Sequence, residues 1–98
     1  MPESFDVAVV STVQLPADLH ARPAGDVTRA VARFDAEVTL ECAGRTAEAS
    51  GVLAVMGLGA AKGQVVTVLG RGPEASEAVG AVVAVLSAST PIEALEQH

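Results

Sequence analysis

Glu37-Val38-Thr39-Leu40-Glu41-Cys42, then Ala43-Gly44, then Arg45-Thr46-Ala47-Glu48-Ala49-Ser50 is the stretch whose reading decides the fold. Each half alternates polar with apolar residues, the period of two expected of a strand with one wet face. Gly44 permits a tight turn between them, so the two strands form a hairpin. An antiparallel pair therefore sits in the middle of the chain, and the segments on either side must cover its apolar face.

On the N-terminal side, Ala24, Val27, Ala30, Val31 and Phe34 recur every three or four residues, as one face of a helix requires. Pro23 fixes where that helix starts. Proline lacks an amide hydrogen and clashes with the carbonyl four residues back, so it is tolerated only in the first turn, where donors are unpaired anyway. The helix is expected to begin near Ala21 and run to about Arg33. His20 then stands at the N-cap or just before it, close to unpaired backbone N–H groups and the positive end of the helix dipole. Because a residue before proline disfavours helical geometry, Arg22 is expected to start the helix irregularly. Further upstream, Phe5 to Val13 is β-branched and apolar on both faces, which suits a central or well-covered strand that Pro16 ends.

On the C-terminal side, Val52 to Met56 reads as a helix of one or two turns, and Gly57, Gly59 and Gly63 after it read as a mobile loop. Gln64 to Leu69 is a fourth strand. Ala75, Ala78, Val79, Val82, Val83 and Leu86 mark the buried stripe of a second long helix, with Glu74 and Glu77 in its first turn, where negative charge is favourable. Thr90 to His98 is a short acidic tail that need not be ordered. The order β-α-β-β-α-β-α implies an α+β, open-faced two-layer sandwich: a four-stranded antiparallel sheet with three helices on one face. Residues 1–98 read as a single domain.

Composition narrows the function. The chain has 98 residues, half of them hydrophobic, with Phe5 and Phe34 as its aromatic residues, so the core must be built from Val, Leu and Ala. No stacking platform for bases exists, and a formal net charge of −6 argues against a nucleic-acid partner. Cys42 is alone, which excludes an intramolecular disulfide and points to a small buried hydrophobe; no metal or cofactor is expected. No segment resembles a signal peptide and no run approaches the roughly 18 to 20 apolar residues that span a bilayer, so a cytoplasmic chain with no direct membrane insertion is expected.

His20 can act on phosphorus through a neutral ring nitrogen. Once phosphorylated it would gain about two negative charges, which the helix N–H groups, the dipole and the Arg22 guanidinium could all stabilise. Arg29 lies seven residues beyond Arg22, about two turns along nearly the same face. It could meet an acidic partner, helped by Arg33. Taken alone, a histidine here more often caps a helix, but His, Arg and Pro together at one helix start favour the phosphate chemistry.

Leu19-His20-Ala21-Arg22-Pro23-Ala24 closely resembles the active-site motif of the HPr family, the histidine-containing phosphocarriers of the bacterial phosphoenolpyruvate-dependent sugar phosphotransferase system. Val55-Met56-Gly57-Leu58-Gly59-Ala60-Ala61-Lys62-Gly63 is similar to the family's stretch after its short middle helix. The resemblance implies that His20 accepts a phosphoryl group on Nδ1 from enzyme I, itself charged by phosphoenolpyruvate, and passes it to sugar-specific IIA components. It implies a carrier and not an enzyme with a turnover of its own. It also implies that Arg22 stabilises the phosphate and that Val52, Leu53 and Met56 form the docking surface for both partners. Their exposure separates that role from core packing. A monomer is expected, since one face serves two partners in turn.

Two positions depart from the family pattern. Where many members carry a regulatory serine before the middle helix, Gly51 stands, with Ser50 one position earlier as the candidate for regulatory phosphorylation or as a helix cap. The usual polar residue in the loop before the histidine is replaced by Ala17, with Asp18 after it. The glycines around Lys62 lack Walker spacing and precede a strand, which argues against a nucleotide loop. Within the same chemistry, no residue distinguishes a paralogous carrier in a nitrogen-regulatory or dihydroxyacetone relay; a function of another class, a small-molecule-binding regulatory module, gives His20 no reason to precede Arg22-Pro23.

Overall fold

The computed structural model describes residues 8–88 and contains the elements in the expected order: β1 (Val9–Gln14), α1 (Ala21–Val31), β2 (Glu37–Cys42), β3 (Arg45–Glu48), α2 (Val52–Gly57), β4 (Val65–Arg71) and α3 (Ala75–Ser87). The sheet runs β1-β4-β2-β3, and each neighbouring pair is antiparallel. Register sets the two faces. Leu40 lies opposite both Val68 and Ala47, and Val13 opposite Val66, so the buried side chains of four strands line up on one side. The alternate residues, among them Thr12, Thr39, Glu41 and Glu48, point away from the core, and among the described residues no helix covers that side.

The helices bury the inner face as their periodicity requires. Ala24, Val27, Ala30 and Val31 of α1, and Ala75, Ala78, Val79, Val82 and Leu86 of α3, are the buried positions. The largest fully enclosed side chains are Leu40, Leu86, Val27, Val38, Val55, Val66, Val68 and Val82, with Phe34 only partly buried at the margin, so the core is aliphatic as composition demanded. Cys42 is buried and free. The approach of α3 to the sheet depends on Gly70 of β4: a Cβ there would stand 2.5 Å from Val79 Cγ2 and 3.2 Å from the Ala75 carbonyl oxygen.

Several boundaries differ from the sequence reading. Within the described residues β1 is an edge strand, not a central one, and Val10 on its outer face is exposed. β-branched residues suit any pleated surface, so they do not by themselves indicate coverage. Phe5 to Val7, which that reading included, and the tail from Thr90 lie outside the described residues. β4 continues to Arg71, because Gly70 and Arg71 still pair with Val38 and Glu37 of β2. Arg22 falls inside α1 and the first turn is regular, with the Ala24 N–H donating to the His20 carbonyl at 3.0 Å.

The hairpin turn places Ala43 at φ 53° and Gly44 at φ 81°. Positive φ at both positions is the type I′ arrangement, whose twist matches the strands, but alanine is a poor resident there. Ala43→Asn is expected to stabilise the fold by about 1 kcal/mol, read as a thermal midpoint roughly 4 to 8 °C higher. Gly70→Ala is expected to lower stability by about 1 to 3 kcal/mol in chemical denaturation, because Val79 and the Ala75 backbone must shift.

Candidate functional site

The segment between β1 and α1 alternates like a strand without being one. Leu15, Ala17 and Leu19 are buried, and Asp18 and His20 between and after them are exposed. Each apolar residue anchors the chain, so His20 is thrown outward as Leu19 is drawn in. His20 occupies the N-cap of α1 in extended geometry, φ −80° and ψ −176°, and its side chain makes no capping hydrogen bond. The ring is therefore not committed to the helix. Ala21 and Arg22 hold the first two helical N–H groups, which have no intrahelical acceptor, and Pro23 contributes none. Arg22 is exposed in the same turn.

The glycine-rich stretch after α2, read as mobile, is instead fastened to the His20 segment. The Leu19 N–H donates to the Ala60 carbonyl at 3.0 Å, and the Gly63 N–H to the Leu15 carbonyl at 2.8 Å. The Lys62 N–H donates to Asp18 Oδ1 at 2.7 Å, and the Ala61 N–H to Gln64 Oε1 at 2.7 Å. Glycine permits the tight path, and these bonds then hold it. Asp18 is a site residue that sequence reasoning did not single out: its Oδ2 lies 3.9 Å from His20 Nε2. The available signal was a carboxylate two positions before the histidine.

The short helix α2 packs against α1 and β3. Val55 is fully buried, whereas Leu53 is 82% exposed, with Val52 and Met56 at 36% and 38%. The three residues expected on a docking face thus lie outside the core and form an apolar surface on one short helix. Thr28 Oγ1 donates to the Ala49 carbonyl at 3.1 Å, fixing α1 against the entrance to α2. Gly51 is the N-cap of α2, so Ser50 does not cap the helix; it is exposed one residue earlier. Arg29 is exposed but carries an ion pair and hydrogen bond to Asp26, so it is not a free cation. Arg33 lies over the Phe34 ring, 5.5 Å from its centroid. Among the described residues no group of His, Cys, Asp and Glu is placed to hold a metal, and no helix is long and apolar enough to cross a membrane.

An open-faced sandwich that presents a histidine free of capping bonds at a helix start, with an arginine in the first turn and an apolar helix on the same side of the core, is the arrangement a protein carrying phosphate on a histidine would need. Comparison with known proteins agrees. The family described as PTS HPr component phosphorylation site matches residues 8–88. The chain belongs to the HPr family and is a phosphocarrier, not a turnover enzyme. It is 40% identical over 68 residues to phosphocarrier protein HPr of Vibrio cholerae serotype O1, covering 69% of this chain and 80% of that protein. It is 38% identical over 85 residues to phosphocarrier protein NPr of Klebsiella oxytoca, covering 84% and 94%. The crystal structure of HPr from Bacillus anthracis str. Ames superposes with a TM-score of 0.78 at 30% identity, covering 84% of this chain and 100% of that one.

Exposure makes a direct prediction about α2. Leu53→Glu is expected to leave unfolding free energy within about 0.5 kcal/mol of wild type, as at other open surface positions. Val55→Ala on the same helix should lower it by about 2 to 3 kcal/mol, from lost burial and the cavity left behind. Denaturant titration of both variants checks the contrast.

Proposed function

We propose that His20 accepts a phosphoryl group on Nδ1 from enzyme I, charged by phosphoenolpyruvate, and delivers it to IIA components of sugar permeases. The observation that carries this reading is the exposed His20 ring at the α1 N-cap, bound to nothing as a cap. In the forward step the Nδ1 lone pair forms a bond to phosphorus while the donor's bond to phosphorus breaks and keeps its electron pair. Delivery reverses the sequence: the acceptor attacks phosphorus and the N–P electrons return to the ring.

Arg22 supplies the main stabilisation of the phosphorylated state. A charge-assisted hydrogen bond contributes about 1.5 to 3 kcal/mol, against about 0.3 to 1 for the helix dipole. Val52, Leu53 and Met56 dock the two partners in turn. Arg29 exchanges its exposed intrachain carboxylate for one on an acidic partner, an inexpensive trade because surface pairs contribute little. Ser50 is the hydroxyl that an ATP-dependent kinase would reach beside the docking helix.

A second reading keeps the same chemistry and changes the pathway: a paralogous carrier in a nitrogen-regulatory relay. It is favoured by the similarity to a protein named phosphocarrier protein NPr, which extends over 85 residues. Incubation with phosphorylated IIA-type acceptors of each branch separates the two by the direction and rate of exchange.

With phosphoenolpyruvate and enzyme I, wild type is expected to take up one phosphoryl group and His20→Ala none. Full labelling of His20→Ala would overturn the reading. Arg22→Ala should lower the equilibrium constant for phosphoryl transfer to His20 by roughly ten- to a hundredfold. Leu53→Glu should raise the KM for enzyme I while leaving the fold intact.

A further inference from the structure

We propose that Asp18 is a positioning residue for the transfer, holding the His20 ring proton on Nε2 so that Nδ1 presents its lone pair. The inference rests on His20 being the phosphoryl acceptor. Its basis is a pair of contacts made by one carboxylate. Asp18 Oδ1 accepts the Lys62 N–H at 2.7 Å, which fixes the side chain against the loop after α2. Oδ2 then faces the His20 ring, 3.9 Å from Nε2. The backbone reinforces the pairing, since the His20 N–H donates to the Asp18 carbonyl at 3.0 Å.

A carboxylate is an acceptor without a proton to give, so beside a neutral imidazole it favours the tautomer whose N–H points toward it. Here that is Nε2–H, which leaves Nδ1 as the nucleophile. When the Nδ1–P bond forms and the donor departs with its electron pair, the ring keeps the Nε2 proton and becomes cationic. The Asp18 charge lies at the Nε2 edge, so it stabilises the developing cation from the side opposite the new phosphoryl group. When the group leaves, the N–P pair returns to the ring and the charge disappears. Ala17, which stands where a polar residue was expected, cannot provide this contact; Asp18 does so from the next position.

The separating variant is Asp18→Asn. Its amide oxygen can still accept the Lys62 N–H, so the loop connection survives while the negative charge is lost. In the full chain, ¹⁵N NMR should show the Nε2–H to Nδ1–H ratio of the neutral His20 ring falling by about 1.5- to 5-fold, the range of exposed charge pairs. Phosphoryl acceptance from enzyme I should slow within the same range, with the thermal midpoint unchanged. Asp18→Ala should show both effects and a lower midpoint, because the Lys62 acceptor is also removed. An unchanged tautomer ratio in Asp18→Asn overturns the proposal, as does a changed ratio with undiminished acceptance. If only Asp18→Ala differs from wild type, Asp18 is a loop fastening and no more. Failure of the acceptor reading looks different: wild type itself would then take up no phosphoryl group on His20, and the Asp18 role would fall with it.

Discussion

The site depends on the hydrogen-bonded fastening between two loops, the one that enters α1 and the one that leaves α2. Leu15 both donates to Gln64 at 2.9 Å and accepts from Gly63 at 2.8 Å, which extends the β1–β4 pairing past the end of the strands. Leu19 to Ala60 and Lys62 to Asp18 complete the connection on the histidine side. Three of these bonds are purely backbone, so they constrain the path of the chain whatever the side chains are. Buried Leu15, Leu19, Leu58 and Ala60 secure the same segments from below. Without this connection the segment entering α1 would be held only at the helix end, and the loop after α2 would have no fixed relation to His20.

A carrier must expose its reactive group and still hold it in place, and the structure divides those demands between neighbouring residues. Leu19 is held in the core, and His20 is left open. The division repeats in α2. A helix of six residues does not persist by itself in water, so Val55 must supply tertiary burial while Leu53 stays outside. It repeats again in α1, where Val27 and Ala30 are enclosed and Arg29 between them is exposed and only weakly engaged by Asp26. At each place one residue fixes the backbone and a nearby one is left exposed on the surface.

The hairpin and the two long helices were legible because their periods are long enough to count: β2 alternates over six residues, and the stripes of α1 and α3 span several turns. His20, Arg22 and Pro23 were legible because proline restricts where a helix can start. The edge position of β1 was not, since a run such as Val7 to Val10 looks alike whether one neighbour or two flank it. The ordered loop after α2 was not either, because glycine signals a permitted path and says nothing of the bonds that hold it. Asp18 was visible beside Ala17 but received no role, for a related reason. Its significance lies in contacts to Lys62, 44 residues away, and to the ring of His20, and neither is a local pattern. The ion pair between Asp26 and Arg29 was within reach of the sequence, as an (i, i+3) pair on an exposed helical face.

The central claim is that an uncapped His20, held open by its buried neighbours, takes phosphorus on Nδ1. The direct measurement is ¹⁵N–³¹P coupling in the uniformly ¹⁵N-labelled full chain after phosphorylation by enzyme I and phosphoenolpyruvate. The account predicts a single coupled nitrogen, Nδ1 of His20. Coupling at Nε2 of His20, or at the chain's other histidine, His98, would contradict it.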